Sequence, residues 1–143
     1  MKKIVVIEDE DLIREGITLI LSVNGYQVIS AHNGAVGIDL AKEHLPDLVV
    51  SDIMMPEKDG YDVLQALRIH EPTATIPFLF LSAKVDQSDI RKGMNLGADD
   101  YLTKPFEHDE LLSAVQIRLG KHEEVRKNAE IAFAADRARY EAT

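Results

Sequence analysis

Ile4-Val5-Val6-Ile7 runs straight into Glu8-Asp9, and this junction decides the fold because the chain repeats it three more times. Leu48-Val49-Val50 leads through Ser51 into Asp52, Phe78-Leu79-Phe80-Leu81 leads into Ser82, and Tyr101-Leu102 leads through Thr103 into Lys104. A short, near-continuous apolar run reads as a strand buried on both faces, as in a parallel sheet covered by helices. Parallel strands bring their carboxyl ends to one edge, and open α/β sheets bind ligands in the crevice outside that edge. Three carboxylates, a hydroxyl and a lysine are therefore expected to share one crevice.

Outward from these junctions, strand signals lie near 3–8, 26–31, 47–52, 76–82 and 99–103, with helical spacing between them. Ile13, Ile17, Ile20 and Leu21 repeat at that spacing, as do Val36, Leu40 and Ala41, then Val63, Leu64 and Leu67, then Ile90 and Met94, and finally Leu111, Leu112, Val115 and Leu119. Strict strand-helix alternation predicts right-handed crossovers and an α/β, doubly wound, five-stranded parallel sheet flanked by five helices. Asn24-Gly25, Asn33-Gly34, Pro46-Asp47, Asp59-Gly60 and Gly97-Ala98 fall where elements should end or begin.

At 143 residues and 45% hydrophobic, the chain suits one ordinary domain with a core of its own. It has no cysteine, which excludes disulfides and thiolate metal sites. The apolar run after Met1-Lys2-Lys3 is too short for a signal-peptide core, and no stretch approaches the roughly 18 apolar residues of a membrane span, so the expectation is a cytoplasmic protein without membrane contact. Net charge is −9; residues 1–120 hold 11 basic and 20 acidic residues, whereas 121–143 hold 5 of each. Phosphate backbones are gripped by basic surface, so direct nucleic-acid binding by this chain is not expected.

Crowding Glu8, Asp9 and Asp52 together is electrostatically costly, because like charges in a crevice oppose one another's ionisation. Oxygen ligands with no His or Cys beside them favour a hard cation, and a few carboxylates plus retained waters is the habit of magnesium at phosphoryl-transfer sites. Lys104 adds a fixed positive charge. Together they suit a reaction in which a carboxylate attacks phosphorus, where catalysis is mainly positioning and charge stabilisation. Each residue alone has a plainer explanation: Asp9 or Asp11 as a helix cap, Asp52 as a solvated strand end, Ser82 as a turn hydroxyl, Lys104-Pro105 as a loop. Their joint placement at successive strand ends favours the site.

The chain resembles a response-regulator receiver domain of bacterial two-component signalling. The resemblance rests on Glu8-Asp9-Glu10 after the first strand, Ser51-Asp52-Ile53-Met54-Met55-Pro56, Asp59-Gly60, Leu81-Ser82-Ala83, and the run from Gly97 to Phe106 that ends in Thr103-Lys104-Pro105-Phe106. It covers residues 3 to about 120, so that 1–120 is expected to be the receiver and 121–143 a helical extension. It implies the flavodoxin-like strand order 2-1-3-4-5. It further implies that Asp52 accepts a phosphoryl group from a sensor histidine kinase or histidine phosphotransfer protein. Mg2+ would be held by Asp9, Asp52 and the Met54 backbone carbonyl, with Glu8 on a metal-bound water. Lys104 would pair with the acceptor and then with phosphoryl oxygens, the Lys104–Pro105 bond would be cis, and Ser82 and Tyr101 would be the switch pair. The chain would catalyse only its own magnesium-dependent phosphorylation and dephosphorylation, with no turnover of a diffusible metabolite.

A phosphoryl group on Asp52 adds charge and acceptor oxygens on which the Ser82 hydroxyl can close, vacating space into which Tyr101 can turn. That would alter the surface of the fourth helix, fifth strand and fifth helix, a bistable face. The plainer expectation for Tyr101 is a core-edge residue that never moves. Gly37 stands where a better helix former is expected, costing about 1 kcal/mol and loosening the second helix. Met54 and Lys84 flank the site, and because an apolar Met54 cannot orient an attacking water, the phosphorylated form is expected to last minutes or longer.

Residues 121–143 contain no Pro or Gly, carry Glu123 and Lys127 at favourable spacing, and read as helix. Val125, Ala129, Ala132 and Phe133 make a thin apolar stripe that Arg126, Asp136 and Arg139 interrupt. The segment reads either as a solvated connector or as a signalling helix that pairs with a twin or leads into an output domain. Two other classes are set against the receiver. An aspartyl phosphohydrolase should carry a second acid where Met54 stands, and a nucleotide-binding module should carry a Gly-rich phosphate loop, which is absent. A binding module that works without phosphorylation would have lost an acid or the lysine, and all are present.

Overall fold

The computed structural model describes residues 1–83, 91, 92, 95 and 97–120. β1 (Lys3–Ile7), β2 (Gln27–Ala31), β3 (Leu48–Asp52), β4 (Phe78–Ser82) and β5 (Asp100–Thr103) alternate with α1 (Asp11–Val23), α2 (Gly34–His44) and α3 (Gly60–Ile69), and residues 108–120 are helical. All strand pairs are parallel, in the order β2-β1-β3-β4-β5. This is the doubly wound sheet anticipated, each strand within two residues of its expected limits. The fourth expected helix, around Ile90 and Met94, lies outside the described residues except for Arg91, Lys92 and Asn95, which are helical. The extension 121–143 and Lys84 also lie outside them.

Pleating sends alternate residues of each buried strand to opposite faces, and the two faces have separate cores. Ile4, Val6, Leu48, Val50, Leu79 and Leu81 meet Ile17 and Leu21 of α1 and Leu111, Val115 and Leu119 of the last described helix, 108–120. Val5, Ile7, Val49, Phe78 and Phe80 meet Ile38 and Ala41 of α2 and Tyr61, Val63, Leu64 and Leu67 of α3. Among the described residues no helix is long and apolar enough to cross a membrane.

Local signals start the helices on the second face. Asn33 caps α2, its Oδ1 accepting from Val36 N at 2.8 Å. Asp59 and Asp62 form a reciprocal capping box on α3, satisfying backbone donors that would otherwise lack partners. The N-cap of α1 is Glu10, and its side chain makes no capping hydrogen bond. Neither Asp9 nor Asp11 takes that position; Asp11 pairs with Arg14 instead.

The reading of Gly37 is corrected. A Cβ there would overlap the Ile7 side chain, 2.6 Å from Cγ1 and also against Cδ1, and Ile7 is fully buried. Glycine lets α2 lie against β1, so its effect is closer packing of the helix and not loosening. Helix propensity alone carried no information about the strand beneath.

Candidate active site

Strand register sets the site. Ile7 pairs with Ser51, Asp52 with Leu81, and Ser82 with Thr103, so Glu8, Asp52, Ser82 and Lys104 end or follow four adjacent strands. Backbone bonds hold the edge together past the last ladder pairs: Glu8 N donates to Ala31 O at 3.1 Å, Ile53 N to Leu81 O at 3.1 Å, and Lys104 N to Ser82 O at 2.7 Å. One carboxylate oxygen from each of Glu8, Asp9 and Asp52 falls within 4.8 Å of the others, with Glu8 and Asp52 buried and Asp9 toward solvent.

Lys104 Nζ lies 3.0 and 3.1 Å from the two Glu8 carboxylate oxygens and 3.5 Å from Asp52 Oδ1. The resemblance implied a lysine paired first with the acceptor, whereas its shorter contacts go to Glu8. The physical reason is burial: the Glu8 side chain has no exposed surface, and a desolvated charge needs a partner more than a better solvated one does. Asp52 Oδ1 has a second donor, Ile53 N at 2.9 Å.

Burial, then the Asp52 charge, pushes the Glu8 carboxyl up to about 7, against the opposing pull of Lys104. Burial raises the Asp52 carboxyl as well, with Lys104 opposing. Burial alone would lower the Lys104 ammonium, yet its hydrogen bond to Glu8 and the Asp52 charge leave it raised and firmly cationic. The site thus has more negative charge than one lysine compensates. An all-oxygen set of three carboxylates in this condition fits a hard divalent cation.

Ser82 is buried at the end of β4. Tyr101 is half-buried on β5, its ring centroid 5.4 Å from that of Phe80. The Lys104–Pro105 peptide is cis. Met54 is 75% exposed and borders a cavity of about 620 Å³ with Ile13, Asp52, Lys104 and Phe106, open enough for a donor group to approach Asp52. Among the described residues, Glu8, Asp9, Asp52, Met54, Ser82 and Lys104 thus come together at one sheet edge, with Tyr101 farther back along β5.

The parts played by three residues were not anticipated. Arg14 Nη1 donates to the Glu8 carbonyl at 2.8 Å, tying α1 to the acid turn. Gly60 lets α3 start against the strand: a Cβ there would overlap the Asp52 carbonyl oxygen and stand 2.9 Å from Phe80 Cε1. Phe80 itself lies between Tyr61 and Tyr101. The signal for Phe80 was available, since Phe78 and Phe80 share one face by the two-residue period.

The response regulator receiver domain model matches residues 4–116. The chain is 41% identical over 126 residues to the transcriptional regulatory protein DltR of Streptococcus agalactiae, covering 88% of this chain and 55% of that protein. It is 43% identical over 116 residues to the transcriptional regulatory protein KdpE of Mycobacterium tuberculosis, covering 81% and 50%. The chain thus spans about half the length of these curated relatives. Among solved structures, the receiver domain of the sensor histidine kinase PA1611 from Pseudomonas aeruginosa, with a magnesium ion coordinated in its active-site cleft, superposes at TM-score 0.77 with 28% identity, covering 83% of this chain and 98% of that one.

Proposed function

The chain belongs to the response regulator receiver family of two-component signalling, and from that premise we propose that Asp52 is its phosphoacceptor, with a histidine kinase or histidine phosphotransfer protein as donor. An Asp52 carboxylate oxygen forms the new P–O bond as the donor's P–N bond breaks, the electron pair passing to the imidazole nitrogen. The observation that carries this reading is the meeting of Asp52, Lys104 and two further carboxylates at one sheet edge beside an open cavity.

Lys104 lies within 3.5 Å of both acids, so a small shift of its ammonium from Glu8 toward the new phosphoryl oxygens stabilises charge where it develops. The acidic set fits Mg2+, which Asp9, Asp52 and the Met54 carbonyl would hold, with Glu8 on a bound water; the similar PA1611 receiver has a magnesium ion in its active-site cleft. Bound there, the ion supplies the positive charge that the acid cluster lacks. Ser82 and Tyr101 are the switch pair, the first closing on a phosphoryl oxygen, the second changing its packing on Phe80. Output is then a change of protein contact, through a second copy of the chain or a further domain such as regulators of transcription carry.

Incubation with magnesium and acetyl phosphate tests this by intact mass. Wild type is expected to gain one phosphoryl group and Asp52→Asn none. Equal uptake by the variant would move the acceptor elsewhere, and no uptake by wild type from either acetyl phosphate or a kinase would sink the reading.

A further inference from the structure

The aromatic side chains of the second face form a connected series that begins at the site and ends on the surface. Phe80 is its centre, with ring centroids 4.9 Å from Phe78, 5.3 Å from Tyr61 and 5.4 Å from Tyr101. It approaches the site at Gly60, where an added Cβ would meet both Phe80 Cε1 and the Asp52 carbonyl oxygen. Tyr61 is only 7% exposed, and Lys92 Nζ sits over its ring, 4.4 Å from the centroid. Beside this contact a cavity of about 550 Å³ is bordered by Asp59, Asp62 and Gln65 on one side and by Arg91 and Asn95 on the other, as well as by the pair itself. α3 and the helical residues Arg91, Lys92 and Asn95 thus border an open space that Lys92 and Tyr61 bridge.

We propose that Lys92 is a positioning residue, a latch whose cation–π contact with Tyr61 ties Arg91, Lys92 and Asn95 to α3 and so holds the site in its resting state. The proposal rests on the reading of Asp52 and Tyr101 above. Tyr101 packs on Phe80, so a turn of Tyr101 alters the setting of Phe80; Phe80 packs edge-on to Tyr61, and the Lys92 ammonium sits over the Tyr61 ring. A ring held on both sides resists repacking, because packed cores shift between discrete arrangements and do not deform continuously. Lys92 touches no reacting atom, and its influence passes through Tyr61 and Phe80.

The test uses the full chain with Lys92→Met, which keeps the length and apolar stem and removes the charge, and Lys92→Arg, whose guanidinium keeps a cation over the ring. Lys92 is exposed, so both variants should fold. Labelling by acetyl phosphate is expected to run about two- to fivefold faster in Lys92→Met, the size of an exposed cation–π contact, and to be restored to the wild-type rate in Lys92→Arg. Equal rates in all three, or equal acceleration in both variants, would overturn the latch. A wild type that takes up no phosphoryl group sinks the reading of Asp52 instead. The latch is then judged on its own by NMR: ε-methylene protons of Lys92 shifted upfield by the Tyr61 ring support the contact, and random-coil values refute it.

Discussion

The two faces of this sheet are made of different material. The face under α1 and the last described helix is aliphatic throughout its buried core, whereas the face under α2 and α3 holds Phe78, Phe80 and Tyr61, with Tyr101 packed against them. β4 shows the division within five residues: Leu79 and Leu81 point one way, Phe78 and Phe80 the other. Aliphatic side chains supply burial without direction, while rings in edge contact fix one another's orientation. The first face therefore reads as scaffold, and the second as the side that can register an event at Asp52.

The largest effect should come from breaking the scaffold. Leu79 is fully buried, and Leu79→Ala is expected to cost about 2–5 kcal/mol in urea unfolding through lost transfer energy and a cavity, while the rate of labelling by acetyl phosphate per folded molecule stays at the wild-type value. Phe80→Leu, one residue away on the other face, should cost less stability, about 1–2 kcal/mol for the lost ring contacts and shape change, yet change the labelling rate. If Leu79→Ala changed that rate as much as Phe80→Leu, the division of labour between faces would be wrong.

Glu8 belongs to the edge where the two faces meet, and its prediction concerns pH. Its carboxyl is raised from 4.5 to about 7 by burial and Asp52. Between those values the folded chain holds a proton that the unfolded chain has released, so stability falls as pH rises through this window and levels off above it. Asp52 is shifted in the same direction, so its effect has the same sign. Lys104, raised from an already high value, stays protonated and adds none. In chelator-treated protein the urea midpoint is therefore expected to drop by the equivalent of a few kcal/mol between pH 5 and pH 8. Glu8→Gln should flatten most of that drop; an unchanged slope would show that the buried acid is not its source.

What could be read from the sequence follows the same division. The five strands were legible because double burial leaves an uninterrupted apolar run, and Glu8, Asp9, Asp52 and Lys104 were legible because each sits at the end of such a run. The aliphatic face needed only period and count. The aromatic face needed knowledge of neighbours: nothing in the residue order says that Phe80 touches both Tyr61 and Tyr101, or that Lys92 lies over Tyr61. The preference of Lys104 for Glu8 was hidden for a related reason, since it depends on how completely one carboxylate is desolvated relative to another. Both acids are buried, Glu8 completely and Asp52 nearly so, a difference that residue order does not carry.

The smallest effect compares one glycine from each side. Gly16 in α1 and Gly37 in α2 are both helical, and by propensity alone each should gain about 1 kcal/mol on replacement by alanine. At Gly16 nothing stands within 4 Å of the added Cβ, so Gly16→Ala is expected to raise the unfolding free energy by about 0.5–1 kcal/mol, the propensity gain undiminished. At Gly37 the Cβ meets the buried Ile7, and the overpacking cost of about 1–3 kcal/mol exceeds the gain, so Gly37→Ala should destabilise. Ile7 precedes Glu8, so a shifted Ile7 also disturbs the turn that carries the acids, and Gly37→Ala should weaken magnesium binding where Gly16→Ala leaves it alone. Two stabilising substitutions would mean that Ile7 can swing aside at no cost, and that the contact between α2 and β1 is looser than the distances imply.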